Sequence, residues 1–358
     1  MALELWTSGE LYTLLDDPRN DPIPSYFLDT YFTETHFSND KEILIGELPL
    51  ADRKMAPFVL PTEQGKPIFN AKGEKVKSLT PPYIKPKDAV RPEDARTPRP
   101  SEILRRQPMT LQQRFNLRVQ EVQTYHRRAI RMQEAYMAAR AFIDGQVTVK
   151  YQRDQGAAFP EVTITFGRDA GHTVVLSTTY WSDPAYLILD DIQTWANTMQ
   201  AAVRGGFPVD LYLGSSVVPY FGKNLQVRAE MDTTVRGNSV NVQTGIVNAG
   251  EAGAPTFLGT VGAGIRVWAY KDEVENNDGT TVDILDPKDV LLVAPGATGV
   301  RAYGAIYNAK AMEQSAAIDI FPSMWLQDDP SAIFLMHECS PLPIPLYPNR
   351  TLKATVLA

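Results

Sequence analysis

The chain has 358 residues, 44% of them hydrophobic and 22% charged, with one cysteine and a formal net charge of −7. This is globular usage with room for about two bodies, and it excludes a fibrous or wholly disordered chain. The lone Cys339 excludes an internal disulfide and a cysteine-built metal centre, while short apolar runs and the absence of a basic, apolar leader predict neither a membrane helix nor a secretory signal, so the expected setting is a reducing cytoplasm.

Charge is spread unevenly. Residues 1–65 hold 4 basic and 12 acidic side chains, 66–140 hold 17 and 7, and 141–358 hold 14 and 23, so a block of +10 lies between blocks of −8 and −9. Such a block suits contact with a polyanion or with the acidic parts of a neighbouring copy. The acidic whole weighs against a dedicated nucleic-acid binder.

Residues 1–45 alternate short apolar pieces (Leu11, Tyr12, Leu14 and Leu15, then Tyr26, Phe27, Leu28, Tyr31 and Phe32) with turn and acidic residues. An aromatic segment without a core of its own needs another surface. It reads as an arm lying on the fold or on a neighbour. Residues 46–79 read as an extended hairpin, with turn signals at Gln64-Gly65 and Lys72-Gly73 and with Pro57, Pro61 and Pro67 marking edge strands. Residues 80–108 are proline-rich and basic, which excludes a long helix.

The clearest helix follows. Leu111, Phe115, Val122, Tyr125, Ala129, Met132, Tyr136, Ala139 and Ile143 recur at helical steps, Thr110 can cap the start and Gly145 can end it. At the standard rise such a helix is roughly 50 Å long, an architectural spine. The period then changes to two: Val147, Val149 and Tyr151, then Val162, Ile164 and Phe166, predict a hairpin with a long loop. Helices are expected over 185–203 and 215–223, with strands over 209–213, 257–258, 265–270, 290–293, 300–307, 333–336, 343–346 and 352–357, and a hairpin turn over 275–279. The spacing places the two helices and several strands in one α/β body. The spine, the first hairpin and the C-terminal strands form another.

Chemistry is sparse. His36, His126, His172 and His337 are not at ligand spacing. His337, Glu338 and Cys339 are adjacent on a predicted strand and so point to alternate faces. The glycines at 259, 262 and 264 lack the dinucleotide order and precede a strand, and no phosphate-loop, nucleophile-elbow or zinc-helix motif is present. Asp190-Asp191 falls on a helix, and Asp328-Asp329-Pro330 reads as a turn. No catalytic, metal or cofactor residue is assigned, and an enzyme is not expected. An arm, a ribbon and a basic linker that cannot bury themselves describe a chain completed by its neighbours.

The run Leu79, Thr80, Pro81, Pro82, Tyr83, Ile84, Lys85, Pro86, Lys87, Asp88, Ala89, Val90, with Pro92 after it, resembles the major capsid proteins of lambda-like tailed phages, the phage capsid E family. So do Gly299 to Gly304, Trp325 to Pro330, Ala332 to Leu335 and Ser340 to Leu342, and more loosely Tyr31-Phe32 with Ile43 to Ile45. The resemblance implies an α+β chain of the Hong Kong 97 type capsid fold. Its arm would be 1–45, its extended loop 46–90, its peripheral domain 91–180 with the spine at 110–144, and its axial domain 181–325, with 326–358 returning to the peripheral domain.

It further implies an icosahedral head of hexamers and pentamers enclosing double-stranded DNA. A separate scaffold, a portal protein and a trimeric decoration protein would be partners, with assembly in the host cytoplasm. The residues expected at inter-subunit contacts are Tyr26, Phe27, Tyr31 and Phe32 of the arm and Lys85, Lys87, Arg91, Arg96 and Arg99 of the basic stretch. Arm burial would supply most of the stabilisation, because exposed ion pairs give about 0–1 kcal/mol each. The competing readings are a DNA-binding protein that uses 66–140 and a phage tail or decoration protein.

Overall fold

Thr110 starts the longest element of the fold. In the computed structural model, which describes residues 6–15, 25–46, 76–97, 109–150, 161–229, 253–262, 264–276, 279–313, 318–329 and 331–358, its hydroxyl accepts from the Gln113 backbone N–H at 3.2 Å while the Gln113 side chain accepts from the Thr110 N–H at 3.0 Å. This reciprocal cap satisfies two orphan donors. Short helices α1 (Ser8–Leu15), α2 (Tyr26–Tyr31) and α3 (Pro92–Arg96) precede the spine α4 (Leu111–Ile143). The spine stops at Gly145, whose φ of +67° is left-handed. The Arg168 side chain fills the space a β-carbon of Gly145 would take and donates to the Ile143 carbonyl.

The buried stripe of α4 differs from the expected one. Leu111, Tyr125 and Ala129 are exposed, whereas Phe115, Val119, Val122, His126, Ile130 and Glu134 are buried. The polar members of that stripe find partners on other elements, so counting apolar residues alone displaced it.

A six-stranded sheet carries the α/β body. Its order is β7 (Thr173–Val175), β18 (Thr351–Thr355), β13 (Asp289–Val293), β8 (Asp210–Gly214), β10 (Ile265–Tyr270), β9 (Thr256–Val261). β8 and β13 are buried throughout, as strands covered on both faces must be. Leu211, Leu213, Val290 and Leu292 face the core formed with Trp181, Trp195 and α5 (Ile188–Ala201), near α6 (Val218–Lys223). The alternate residues Tyr212, Leu291 and Val293 face Phe27, Phe142 and Ile143, where α2 and the end of the spine pack.

The remaining sheets line the rest of α4. β1 (Glu34–Phe37), β14 (Gly299–Tyr303) and β17 (Pro341–Pro345) form one, and β15 (Phe321–Gln327), β16 (Ala332–Glu338) and β4 (Lys87–Val90) form another. Two-stranded ribbons join β2 (Ile43–Gly46) to β3 (Val76–Leu79), β5 (Gln146–Val149) to β6 (Val162–Thr165), and β11 (Glu273–Glu275) to β12 (Thr281–Asp283). Ile43 and Leu79 anchor the first ribbon on Ile164, Ala302, Leu342 and Ile344. Most of the hairpin expected over 46–79, and the linker from 98 to 108 with Arg99, lie outside the described residues.

After β13 the chain pairs β14 with β17 and β15 with β16, and β18 then returns to the six-stranded sheet between β7 and β13. On β18 the Lys353 ammonium lies 2.8 Å from Asp289 and 3.0 Å from Asp144, tying the sheet to the end of the spine.

Candidate inter-subunit surfaces

The arm aromatics are placed first by α2, whose start is tied by Asp29: its carboxylate accepts from the Ser25 N–H at 2.9 Å. The helix presents Phe27 and Leu28 inward, and Phe32 follows, all three buried. The Phe27 ring meets Tyr270 edge-on at 5.0 Å and Tyr31 stacks on Phe142 at 4.2 Å. The hydroxyls of Tyr26 and Tyr31 lie 2.7 and 2.8 Å from the hydroxyl of Tyr212. Burial raises all three phenols above their ordinary range. Outside the aromatic patch, Arg131 and Arg301 both pair with Asp29.

Within their own chain these four rings pack on Phe142, Tyr212 and Tyr270. The last turns of the spine and the Tyr212 face of the sheet offer an apolar platform that would otherwise face water, and the arm covers it.

The basic stretch is partly committed as well. Lys85 pairs with the buried Glu338 at 2.8 Å, and the Asn308 amide donates to the same carboxylate. Lys87 lies 4.1 Å above the Phe334 ring and 5.2 Å from that of Trp325, a cation–π placement. Arg91 and Arg96 are exposed. The Arg96 carbonyl accepts from Arg114 at 3.2 Å, which ties α3 to the spine.

Two polar clusters escaped the sequence reading. Tyr303 donates to the buried Glu134 carboxylate at 2.8 Å, and Arg131 pairs with the other oxygen at 3.4 Å. Burial, outweighing Arg131 and Tyr303, holds Glu134 above the usual carboxylate range. His126 and His337 bring their Nδ1 atoms to 2.8 Å, and His126 Nε2 lies 2.7 Å from Asp88. The available signal was position: His126 sits four residues from both Val122 and Ile130, and His337 alternates with Ile333 and Leu335. Among the described residues no cluster of His, Cys, Asp and Glu is fit to hold a metal ion, and no helix is long and apolar enough to cross a membrane.

The exposed elements are of another kind. All four residues of the edge strand β1 are exposed, as are Leu111 and Tyr125 on the outer side of the spine. These are extended surfaces, not a cleft with converging polar groups.

Residues 12–356 match the family described as phage major capsid protein E. The chain is 26% identical over 355 residues to the major capsid protein of Escherichia phage N15, which covers 95% of this chain and 96% of that one. It is likewise 26% identical to the major capsid protein of Enterobacteria phage phi80, and 24% identical to that of Escherichia phage lambda, with the same coverage. Among solved structures, a prophage capsid protein of E. coli CFT073 superposes with a TM-score of 0.68 at 18% identity, covering 98% of this chain and 99% of that one. The architecture is the α+β capsid fold of the Hong Kong 97 type, and the chain belongs to the phage major capsid protein E family.

Proposed function

We propose that this chain is the shell-forming subunit of a tailed-phage head, with many copies closing into an icosahedral container for double-stranded DNA. The observation that carries the reading is the family match, which runs from residue 12 to residue 356. Ribbons and an exposed edge strand fit this role, because two-stranded ribbons are marginal alone and gain from being covered by a neighbour. The role is structural rather than enzymatic. A scaffold during assembly, a portal at one vertex, a trimeric decoration protein and the packaged DNA are the partners the reading includes, with assembly in the host cytoplasm before incorporation into the virion. Of the basic residues, Arg91 and Arg96 are offered as inter-subunit contacts.

Negative-stain microscopy and sedimentation of the purified chain, alone and co-expressed with the neighbouring head genes of its phage, test this. Closed, regular particles are expected in at least one condition. A monomer at every concentration in both conditions would reject it.

A further inference from the structure

The histidine pair lies where three elements meet. β16 places Ile333, Leu335 and His337 on its spine-facing side, β4 places Asp88 and Val90 there by its pairing with Leu335 and Ile333, and the spine supplies Val119, Val122 and His126. Both rings are buried, His337 at 0% and His126 at 1% exposure. Their planes are nearly perpendicular, at 82°, with centroids 4.9 Å apart.

Among the described residues, four elements contribute groups around the pair. β4 contributes Asp88, bonded to His126, and Lys87, which lies over Phe334 and Trp325. β16 contributes Glu338, engaged by Lys85 and Asn308. The spine contributes Gln123, bonded to the Leu11 carbonyl, and Arg127 beside His126. β15 opposes His337 with Pro322.

Hydrogen-bond chemistry limits what this site can hold. With His126 Nε2–H donating to Asp88, a neutral His126 must accept at Nδ1 from His337. A charged His126 donates at Nδ1 instead, and His337 must then be neutral and accept. One added proton is therefore accommodated by reversing the central bond. A second would set two N–H groups against each other at 2.8 Å. His337 Nε2 is buried, and no described residue satisfies it.

We propose that Asp88, His126 and His337 form a proton-sensitive latch, which clamps β4 and β16 to the middle of the spine while at most one added proton is bound and releases them when both rings are charged. Burial first, and then the neighbouring His126, push His337 down to about 3. Because the open or unfolded chain takes that proton near the ordinary value of about 6.5, the clamped state weakens as pH falls from there towards the lowered value. The main chain would report this, since the His337 N–H donates to the Pro86 carbonyl at 3.1 Å just ahead of β4.

Histidine C2-proton exchange read by mass spectrometry on the full chain, from about pH 4 to about pH 8, follows each ring in free subunits or in particles. The midpoint of His337 is expected well below the ordinary histidine value of about 6.5. Backbone amide exchange in β4 and β16, corrected for its intrinsic pH dependence, should rise by up to about tenfold per pH unit below about 6.5. His337→Phe keeps a ring in the site without a titratable nitrogen and should lose that extra dependence. If it does not fold, His126→Gln serves: its amide oxygen can accept from a charged His337, so the His337 midpoint should move up. A wild-type His337 that titrates near the ordinary value of about 6.5, identical amide profiles in wild type and His337→Phe, or an unmoved midpoint in His126→Gln would each overturn the latch.

Discussion

The ring of Phe32 occupies the space that a β-carbon of Gly299 would take. The arm thereby closes onto the first residue of β14, and β1 continues from it in parallel pairing with the same strand, Glu34 opposite Val300. Gly299→Ala should force the ring out of its site. Overpacking of this kind costs about 1–3 kcal/mol, to be read as a lowered midpoint in urea. Pairing the change with Phe32→Leu should cost less than the two single changes summed, because the residues touch.

Removing residues 1–40 should damage the subunit itself and not merely its assembly. Phe27, Leu28 and Phe32 belong to the core that also holds Phe142, Tyr212 and Leu291, so the truncation strips one wall from that core. A milder form is Phe27→Ala, expected to cost about 3–5 kcal/mol. Circular dichroism during thermal unfolding distinguishes the outcomes: a truncated chain that melts like the full one would show that the arm is dispensable to its own subunit.

Lys353→Met should destabilise by about 3–5 kcal/mol, the usual result of removing one partner from a buried ion pair. Burial alone would lower this lysine, but Asp144 and Asp289 outweigh it and raise it above its ordinary value. The cost arises because the buried Asp289 loses its cationic partner and keeps the Thr355 hydroxyl as a donor. Adding Asp289→Asn to Lys353→Met should recover part of the loss in the same denaturant titration.

Glu134 should give stability a pH dependence opposite in sign to that of His337. Its carboxyl is raised in the folded state, so between the ordinary value of 4.5 and the raised one the folded chain holds the extra proton. Acidification through that window stabilises the fold, and raising the pH through it removes the gain. Glu134→Gln keeps an oxygen for the Tyr303 hydroxyl and should abolish the effect. Comparing urea midpoints of wild type and variant at several pH values checks it: the wild type should gain on the variant as pH falls.

Features that depend on a few consecutive residues were legible in the linear chain. Thr110 with Gln113, the helical period after it and Gly145 specify the spine and both its ends, because capping and φ preference act within one turn. The short, mostly apolar runs at 209–213 and 290–293 likewise mark the strands at the centre of the large sheet. What that reading missed depends on partners far away along the chain. His126 meets His337 across 211 residues and Arg301 meets Asp29 across 272, and no local pattern encodes such pairs. The destination of the arm was open for the same reason. Tyr26, Phe27, Tyr31 and Phe32 announce an apolar surface seeking cover, but whether it lies on a sister copy or on its own chain depends on the platform that Phe142, Tyr212 and Tyr270 build once the spine and the sheet have docked. Hydrophobic burial is non-directional, so composition could supply the drive and only packing the address.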